Sequence, residues 1–206
     1  MGETLLKNTY QPFLLGNRFS ILPPEFIDTE NDRIKLRMER GAFGSGEHET
    51  TESCLEILEQ LPLNGNKKIL DIGSGTGILS IAALLLGGGK AWCVDIEADA
   101  VHSCQNNCRL NGVENRVAHV CGTLDDLQEK EFDVILANIY GDILLAIAED
   151  LVTKASPDAY ILLSGILWEY NFDVRQKYQR LGCRIIENRM LKEFSTLLLQ
   201  KSEPQE

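Results

Sequence analysis

The sequence predicts an α/β fold with one sheet of seven strands, mostly parallel and covered by helices on both faces. From residue 66 onward, short runs rich in β-branched residues alternate with stretches of helical periodicity, which is the pattern of a parallel sheet. A glycine-rich turn directly follows the first of these strands. Only residues 188–192 join the last two strands. They are too few for a crossover helix, so the final strand is predicted to be antiparallel.

Each element is predicted from its own pattern. The strands are predicted at 67–72, 90–95, 116–121, 132–137, 159–164, 183–188 and 194–200. Between them, apolar residues recur at helical spacing in four sets: Ile78, Ala82 and Leu85; Val101, Cys104 and Cys108; Leu144, Ile147 and Leu151; Val174, Tyr178 and Leu181. A Rossmann-like sheet of seven strands with the last one antiparallel resembles that of class I S-adenosylmethionine-dependent methyltransferases.

The first part of the chain follows a different pattern, so we predict two regions. Residues 1–65 are expected to hold N-terminal strands, a loop that covers a cofactor, and a helix; residues 66–206 are expected to form the Rossmann-like core. The N-terminal strands are predicted at 19–22 and 33–38. The helix after residue 51 has an apolar inner face formed by Cys54, Leu55, Leu58 and Leu61.

The second N-terminal strand alternates apolar and basic residues. Its basic side chains, Arg33, Lys35 and Arg37, share one face. A solvated strand face is the simpler interpretation of these three cations. A docking surface for a partner is the alternative.

Composition and charge limit the function classes. The 206 residues, of which 44% are apolar, can form one sizeable core. The net charge of −11 disfavours DNA as a partner and RNA as the main substrate, because proteins that bind phosphates need a basic face. It favours a basic protein substrate. Neither a signal peptide nor a membrane-spanning run is recognised, so we expect a cytoplasmic protein without membrane association.

The six cysteines indicate a reduced protein, because their spacing is irregular and most lie in apolar elements. Cys104 and Cys108 have the spacing of paired metal ligands on a helix. They share their helix face with Val101, so we interpret them as core thiols and predict no metal site. His102 and His119 have no partners at ligand spacing in the sequence.

The glycine turn is the strongest functional signal. Residues 71–77 read Asp-Ile-Gly-Ser-Gly-Thr-Gly, in which glycines bring the backbone close to a ligand at a helix N-terminus. The second strand ends in Asp95, where a carboxylate can accept both hydroxyls of a ribose. The glycine spacing favours S-adenosylmethionine over NAD. The predicted cofactor-binding residues of this part are Asp71, Gly73, Ser74, Gly75, Gly77, Asp95, Ile96, Thr123 and Leu124, the last two lying after the third strand, near the adenine.

Four segments together resemble one known family. Residues 42–51 resemble its AFGTGxHxTT motif, 71–77 its glycine loop, 137–144 its ANIxxxxL motif, and 164–166 its SGI motif. The chain is thereby identified as similar to the ribosomal protein L11 methyltransferases (PrmA). The resemblance implies transfer of methyl groups from S-adenosylmethionine to protein amino groups, with a large-subunit ribosomal protein as the implied partner.

The chain departs from that family at its N-terminus. Full-length members carry a separate small domain that recognises the ribosomal protein, and the residues before Ala42 are too few for it. Arg40 also stands where the family usually has proline. We therefore expect a catalytic domain without the recognition domain, and the physiological acceptor and the oligomeric state stay open.

Asn138, at the end of the fourth strand, is the first candidate for catalysis. Its amide oxygen and the neighbouring backbone carbonyl of Ile139 can accept two hydrogen bonds from an amine and direct its lone pair at a methyl group. Asn138 is also predicted to contact the cofactor. The alternative is that Asn138 is only a turn residue. His48 is a candidate proton acceptor, with positioning of its glycine-rich loop as the alternative.

Four further residues near the cofactor have two interpretations each. Phe43, with Gly44 beside it, can close over the cofactor or be a core aromatic. Thr50 and Thr51 can cap a helix, contact the cofactor, or do both.

The alternative functions of the whole chain are a methyltransferase for a small-molecule amine or RNA, and a non-catalytic S-adenosylmethionine-binding module. A dehydrogenase is the weakest of these alternatives, because the glycine spacing of this chain differs from that of dinucleotide-binding proteins.

Overall fold

A computed structural model of the protein describes residues 10–26, 32–39 and 48–202. The N-terminal part forms a small sheet of three strands, β1 (Phe13–Leu15), β2 (Phe19–Leu22) and β3 (Ile34–Arg37). The central strand β2 is antiparallel to β1 and parallel to β3. The two N-terminal strands predicted from the sequence are therefore present, and a third strand, β1, precedes them.

The large sheet confirms the predicted fold class. Its strands are β4 (Lys68–Ile72), β5 (Lys90–Asp95), β6 (Val117–Cys121), β7 (Phe132–Asn138), β8 (Ala155–Leu167), β9 (Cys183–Met190) and β10 (Phe194–Lys201). They lie in the order β6-β5-β4-β7-β8-β10-β9. Strand β10 pairs antiparallel with both neighbours, while β6, β5, β4, β7 and β8 are parallel. The reversed strand therefore lies inside the sheet, one place from its edge.

In the described part of the chain, six α-helices accompany these strands. They are α1 (Glu49–Leu58), α2 (Ile78–Leu85), α3 (Ala98–Leu110), α4 (Gly141–Ala146), α5 (Ala148–Lys154) and α6 (Trp168–Arg180). The apolar spacing of Leu144, Ile147 and Leu151 predicted one helix, and the structure has two. Ile147 is the break, because its φ of −94° and ψ of 4° end α4 and begin α5.

The helices cover both faces of the large sheet, as predicted. On one face, α1, α2 and α3 pack with Ile69, Cys93 and other strand residues, and the small N-terminal sheet joins this core through Phe19 and Leu36. On the other face, α4, α5 and α6 pack on the alternate residues of the same strands. No helix among the described residues is long and apolar enough to cross a membrane.

The chain connectivity determines where a ligand can bind. Strand β4 is followed along the chain by β5 on one side of it, whereas β7 lies on its other side. In open α/β sheets, ligands bind at such a switch point, outside the carboxyl ends of the strands. The glycine loop after β4, the end of β5 and the end of β7 all meet at this edge.

The basic face of β3 differs from both sequence interpretations. The Arg33 guanidinium donates to the carbonyl oxygens of Gly16 and Phe19 at 2.9 and 3.2 Å. The Arg37 guanidinium donates to the carbonyl oxygen of Phe26 at 2.6 Å. These arginines are partly buried and hold neighbouring backbone in place, so neither a fully solvated face nor a free docking surface describes them.

Candidate active site

The glycine loop between β4 and α2 is held in a conformation that only glycine adopts easily. Gly73, Gly75 and Gly77 have φ angles of +65°, +53° and +78°. A Cβ on Gly73 would lie 2.4 Å from Cγ2 of Ile139, so the loop lies directly against the chain that leaves β7. Helix α2 begins immediately after Gly77, which provides no side-chain cap. The free N–H groups of its first turn can bind an anionic or polar ligand.

Asp95 joins the end of β5 to this loop. Its Oδ2 accepts a hydrogen bond from the backbone N–H of Gly75 at 2.9 Å, and its Oδ1 accepts one from Glu97 at 3.0 Å. A carboxylate has about four acceptor positions, so two remain for ligand hydroxyls. Ile96, the next residue, is largely exposed and provides an apolar surface beside the carboxylate.

Asp71 lies below the loop, buried at 2% exposure. Its carboxyl group accepts a hydrogen bond from Oγ of Ser80 at 2.5 Å, which ties β4 to α2. Burial raises the pKa of Asp71 to about 7. The geometry therefore assigns Asp71 to positioning of the loop, and the direct cofactor contact stays a prediction.

Ser74 offers a test of whether a ligand fits this loop. Its Oγ is buried and has no hydrogen-bond partner among the described residues. An unpaired buried hydroxyl costs about 1–3 kcal/mol, so a bound polar group would remove a penalty that the free protein carries. The loop's residues thus fit a polar cofactor.

The segment after β6 forms the next part of the crevice. The backbone N–H of Gly122 donates to the carbonyl oxygen of Asp95 at 2.9 Å, so this segment lies next to the end of β5. The Thr123 hydroxyl accepts from the N–H of Asp125 at 3.3 Å and caps a short 3₁₀ turn over Leu124–Asp126. Leu124 is buried. The N–H of Thr123 also donates to Oδ2 of Asp126 at 2.9 Å, so both groups of Thr123 are occupied by the cap. Contact of Thr123 and Leu124 with a cofactor stays a prediction.

Asn138 and Ile139 bring two acceptor oxygens together at the carboxyl end of β7. The N–H of Ile139 donates to the carbonyl oxygen of Ser164 at 3.1 Å, which fixes the backbone of this turn. A Cβ on Gly165 would lie 2.7 Å from the Ile139 carbonyl oxygen and 3.2 Å from Oδ1 of Asn138. Both oxygens therefore lie beside the same glycine, and in the described part of the chain no residue hydrogen bonds to the Asn138 amide.

His48, rather than a threonine, caps α1. Its Nδ1 lies 2.9 Å from Oγ1 of Thr50 and accepts from the Thr50 N–H at 3.4 Å. Thr50 and Thr51 are buried within the helix. The interpretation of Thr50 and Thr51 as helix caps was wrong, because the helix begins directly after His48. Their contact with the cofactor stays a prediction. The Nδ1 of His48 is occupied by these contacts, which supports a positioning role; proton acceptance stays a prediction. Phe43 and Gly44 lie outside the described residues.

An aromatic rim, defined as Tyr140, Trp168, Phe172 and Phe194, borders this edge of the sheet. Tyr140 and Trp168 are 63% and 52% exposed, although both are large and apolar. The Trp168 indole donates to the carbonyl oxygen of Phe194 at 3.0 Å, and the Phe194 ring packs edge-on against His48 with a centroid distance of 5.1 Å. The sequence analysis missed this rim. Its only signal was that aromatic residues directly follow the ends of two parallel strands.

The chain is similar to known proteins of one family. The family model described as ribosomal protein L11 methyltransferase (PrmA) matches residues 3–202. A ribosomal protein L11 methyltransferase of Geotalea uraniireducens is 38% identical over 205 residues, covering 93% of this chain and 64% of that protein. One of Synechococcus elongatus is 40% identical over 168 residues, covering 78% of this chain and 56% of that protein. The chain thus spans less than two thirds of these relatives.

Solved structures share the fold. The crystal structure of a ribosomal protein L11 methylase from Lactobacillus delbrueckii subsp. bulgaricus superposes with a TM-score of 0.84 at 24% identity, covering 94% of this chain and all of that chain. An RNA methyltransferase from Salinibacter ruber, solved in complex with S-adenosyl-L-homocysteine, superposes with a TM-score of 0.60 at 18% identity, covering 75% and 93%. At these identities the likeness establishes the fold.

Proposed function

Since the chain belongs to the ribosomal protein L11 methyltransferase (PrmA) family, we propose that it is an S-adenosylmethionine-dependent methyltransferase that methylates protein amino groups. One observation carries the proposal. The glycine loop and the Asn138–Ile139 turn are in direct contact, because a Cβ on Gly73 would overlap the side chain of Ile139. A methyl donor held by the loop would therefore lie next to the acceptor oxygens of Asn138 and Ile139.

The cofactor would be bound by hydrogen-bond donors and acceptors at the carboxyl ends of β4 and β5. The N-terminal turn of α2 and the backbone of the glycine loop provide N–H donors, and Asp95 provides acceptor positions for ribose hydroxyls. Ser74 Oγ provides a buried polar atom that no described residue hydrogen bonds. When bound, S-adenosylmethionine supplies an electrophilic methyl group on a positively charged sulfur.

The acceptor side orients a neutral amine. A lysine amino group has an ordinary pKa near 10.4, so deprotonation at pH 7 costs about 4.6 kcal/mol. Asn138 Oδ1 and the Ile139 carbonyl are neutral acceptors, which can bind two N–H groups of the uncharged amine and leave its lone pair directed at the methyl group. A carboxylate at this position would instead stabilise the ammonium form, which has no lone pair.

The proposed substrate is a basic protein, and the names of the relatives make ribosomal protein L11 the first acceptor to test. The net charge of −11 would attract such a protein and repel RNA. The aromatic rim offers apolar surface next to the Asn138–Ile139 turn, where the backbone around a target lysine can pack. A substrate protein in the cytoplasm would be consistent with the cytoplasmic location that we expect for this chain from its sequence.

The experiment is a methyl-transfer assay with three acceptors. The purified chain is incubated with S-adenosylmethionine carrying a labelled methyl group and with ribosomal protein L11, ribosomal RNA or a mixture of small amines. The proposal expects label on lysine or the N-terminal amine of the protein, located by mass spectrometry. The label should be lost in Asn138→Ala and retained in Asn115→Ala, which changes an exposed asparagine far from the site. Label only on RNA or on small amines would overturn the proposed substrate class.

A further inference from the structure

Three buried thiols and one imidazole meet behind the glycine loop. Cys93 on β5 and His119 on β6 are direct cross-strand partners, so their side chains lie on the same face of the sheet. Helix α3 covers this face and contributes Cys104 and Cys108, which are one helical turn apart. All three cysteines are at most 1% exposed. The sequence analysis noted the spacing of Cys104 and Cys108 but could not bring Cys93 and His119 beside them, because the members come from three elements.

The ligand atoms of this cluster are close together. The Sγ atoms of Cys93 and Cys104 and a ring nitrogen of His119 all lie within 4.8 Å of one another. Cys108 is buried one helical turn after Cys104, on the same face of α3. The Nδ1 atom of His119 is buried and has no hydrogen-bond partner among the described residues. The cluster therefore holds soft donor atoms together with an unsatisfied ring nitrogen.

This donor set matches one kind of metal. Structural zinc sites use four ligands drawn from thiolates and imidazoles, with Zn–S and Zn–N distances of about 2.3 and 2.0 Å. Such distances put neighbouring ligand atoms about 3.5–3.8 Å apart in a tetrahedron. Atoms that now lie within 4.8 Å of one another would therefore approach by at most about 1.3 Å. Hard ions such as magnesium need oxygen ligands, which the cluster does not offer.

We propose that Cys93, Cys104 and His119 bind one zinc ion, with Cys108 as the fourth ligand. The metal displaces one proton from each coordinating thiol, and those protons leave to the solvent. Two thiolates balance the charge of the dication, and the third leaves the site with a single negative charge. The assignment rests on the distances among Cys93, Cys104 and His119 and on the helical spacing of Cys108. It is independent of the proposed methyltransferase activity.

The position of the site gives it a structural consequence. A Cβ on Gly77 would lie 2.4 Å from Sγ of Cys104, so the cluster supports the end of the glycine loop. The Cys93 thiol donates to Oγ of Ser80 at 3.1 Å, and Ser80 in turn donates to Asp71. Metal binding would join β5, β6 and α3 directly below these groups. We therefore expect the loaded protein to unfold at a higher temperature than the metal-free protein.

The test uses cobalt as a spectroscopic probe of the whole chain. Protein kept under reductant and stripped of metal with a chelator is titrated with Co²⁺. The proposal expects saturation at one ion per chain, thiolate-to-cobalt charge-transfer bands in the near ultraviolet, intense visible bands of tetrahedral Co²⁺, and displacement by Zn²⁺. Zinc should also raise the Tm. The absence of thiolate bands, or saturation well below one ion per chain, would overturn the proposal.

Three variants make the test specific. Cys104→Ala should abolish the thiolate bands, and His119→Gln, at a partly exposed position that keeps the fold, should weaken Co²⁺ binding at least tenfold. Cys183→Ala is the matched control, because it removes a buried thiol from the opposite face of the sheet. It should bind Co²⁺ like the unaltered protein. Circular dichroism establishes that each variant is folded. Full binding by folded Cys104→Ala or His119→Gln would contradict the ligand assignment.

Discussion

Oδ2 of Asp95 accepts a hydrogen bond from the backbone N–H of Gly75 at 2.9 Å, and this contact connects the end of β5 to the glycine loop. The carboxylate thus has two tasks in the proposed site. It holds the loop in position, and its remaining lone pairs are available to a ribose. Substitution of this residue should therefore affect cofactor binding before it affects any later step.

Asp95→Ala is expected to weaken binding of S-adenosylmethionine and of its demethylated product at least tenfold. Hydrogen bonds to a charged acceptor are each worth about 1.5–3 kcal/mol, and two of them are lost. Isothermal titration calorimetry measures the change. Asp99→Ala, which removes an exposed carboxylate from the first turn of α3, is the control and should leave Kd unchanged. Equal affinity in the Asp95 variant, or tighter binding of NAD than of S-adenosylmethionine, would refute the cofactor assignment.

Gly165→Ala is expected to lower kcat by disturbing the two acceptor oxygens. The new Cβ would lie 2.7 Å from the Ile139 carbonyl oxygen, at a backbone φ of +77° that is itself unfavourable for alanine. Gly182→Ala separates these effects, because Gly182 has a similar φ of +85° but no atom within 4 Å of the added Cβ. Both variants should lose about 1 kcal/mol of stability to backbone strain. A large additional loss of kcat is expected only at position 165. Equal kcat in the two variants would mean that a Cβ beside the oxygens of Asn138 and Ile139 does not disturb catalysis.

The buried carboxyl of Asp71 is expected to make stability depend on pH. Burial raises its folded pKa to about 7 from an ordinary value of 3.8, so the folded state binds more protons than the unfolded state between these values. The contribution of Asp71 to the free energy of unfolding therefore falls as pH rises from about 4 to 7, by at most about 1.4 kcal/mol per pH unit.

The change is measured by comparing the unaltered protein with Asp71→Asn. Urea unfolding across pH 4 to 8 should show a smaller decline for the asparagine variant, because its amide does not titrate. Asp99→Asn, at an exposed position, should follow the unaltered protein. Parallel curves for Asp71→Asn and the unaltered protein would show that the carboxyl is not the cause.

The sequence predicted those features that depend on local spacing. The alternation of strands and helices gave the sheet, and the short 188–192 connection gave the reversed strand, both of which the structure confirms. The glycine loop and Asp95 were predicted as cofactor-binding residues for the same reason: they lie at strand ends, where an α/β fold binds its ligand. The structure brings them together, and their contact with the cofactor stays a prediction. Asn138 was predicted because it ends the neighbouring strand, where the structure places it, and its catalytic role stays a prediction.

Other features depend on contacts between distant residues and could not be predicted. The lack of space for a side chain at Gly165 on β8 depends on the carbonyl oxygen of Ile139, which follows the neighbouring strand β7. The cluster of Cys93, Cys104 and His119 depends on the register of β5 and β6. Helix capping was one of the two roles considered for Thr50 and Thr51, because threonine is a common cap, whereas here a histidine ring accepts the hydrogen bond. Sequence periodicity also could not show the break at Ile147.

The central claim is that Asn138 orients the amine for methyl transfer. The most direct measurement is single-turnover methylation of the acceptor protein by Asn138→Ala and Asn138→Asp, each saturated with S-adenosylmethionine. Because misplacing a reacting group is costly, Asn138→Ala should lower the rate by about 10²-fold or more while cofactor Kd changes little. Asn138→Asp should be impaired at neutral pH and recover partly as pH rises, since its carboxylate favours the ammonium form. Near-normal rates in both variants would show that Asn138 is only a turn residue and would contradict the account.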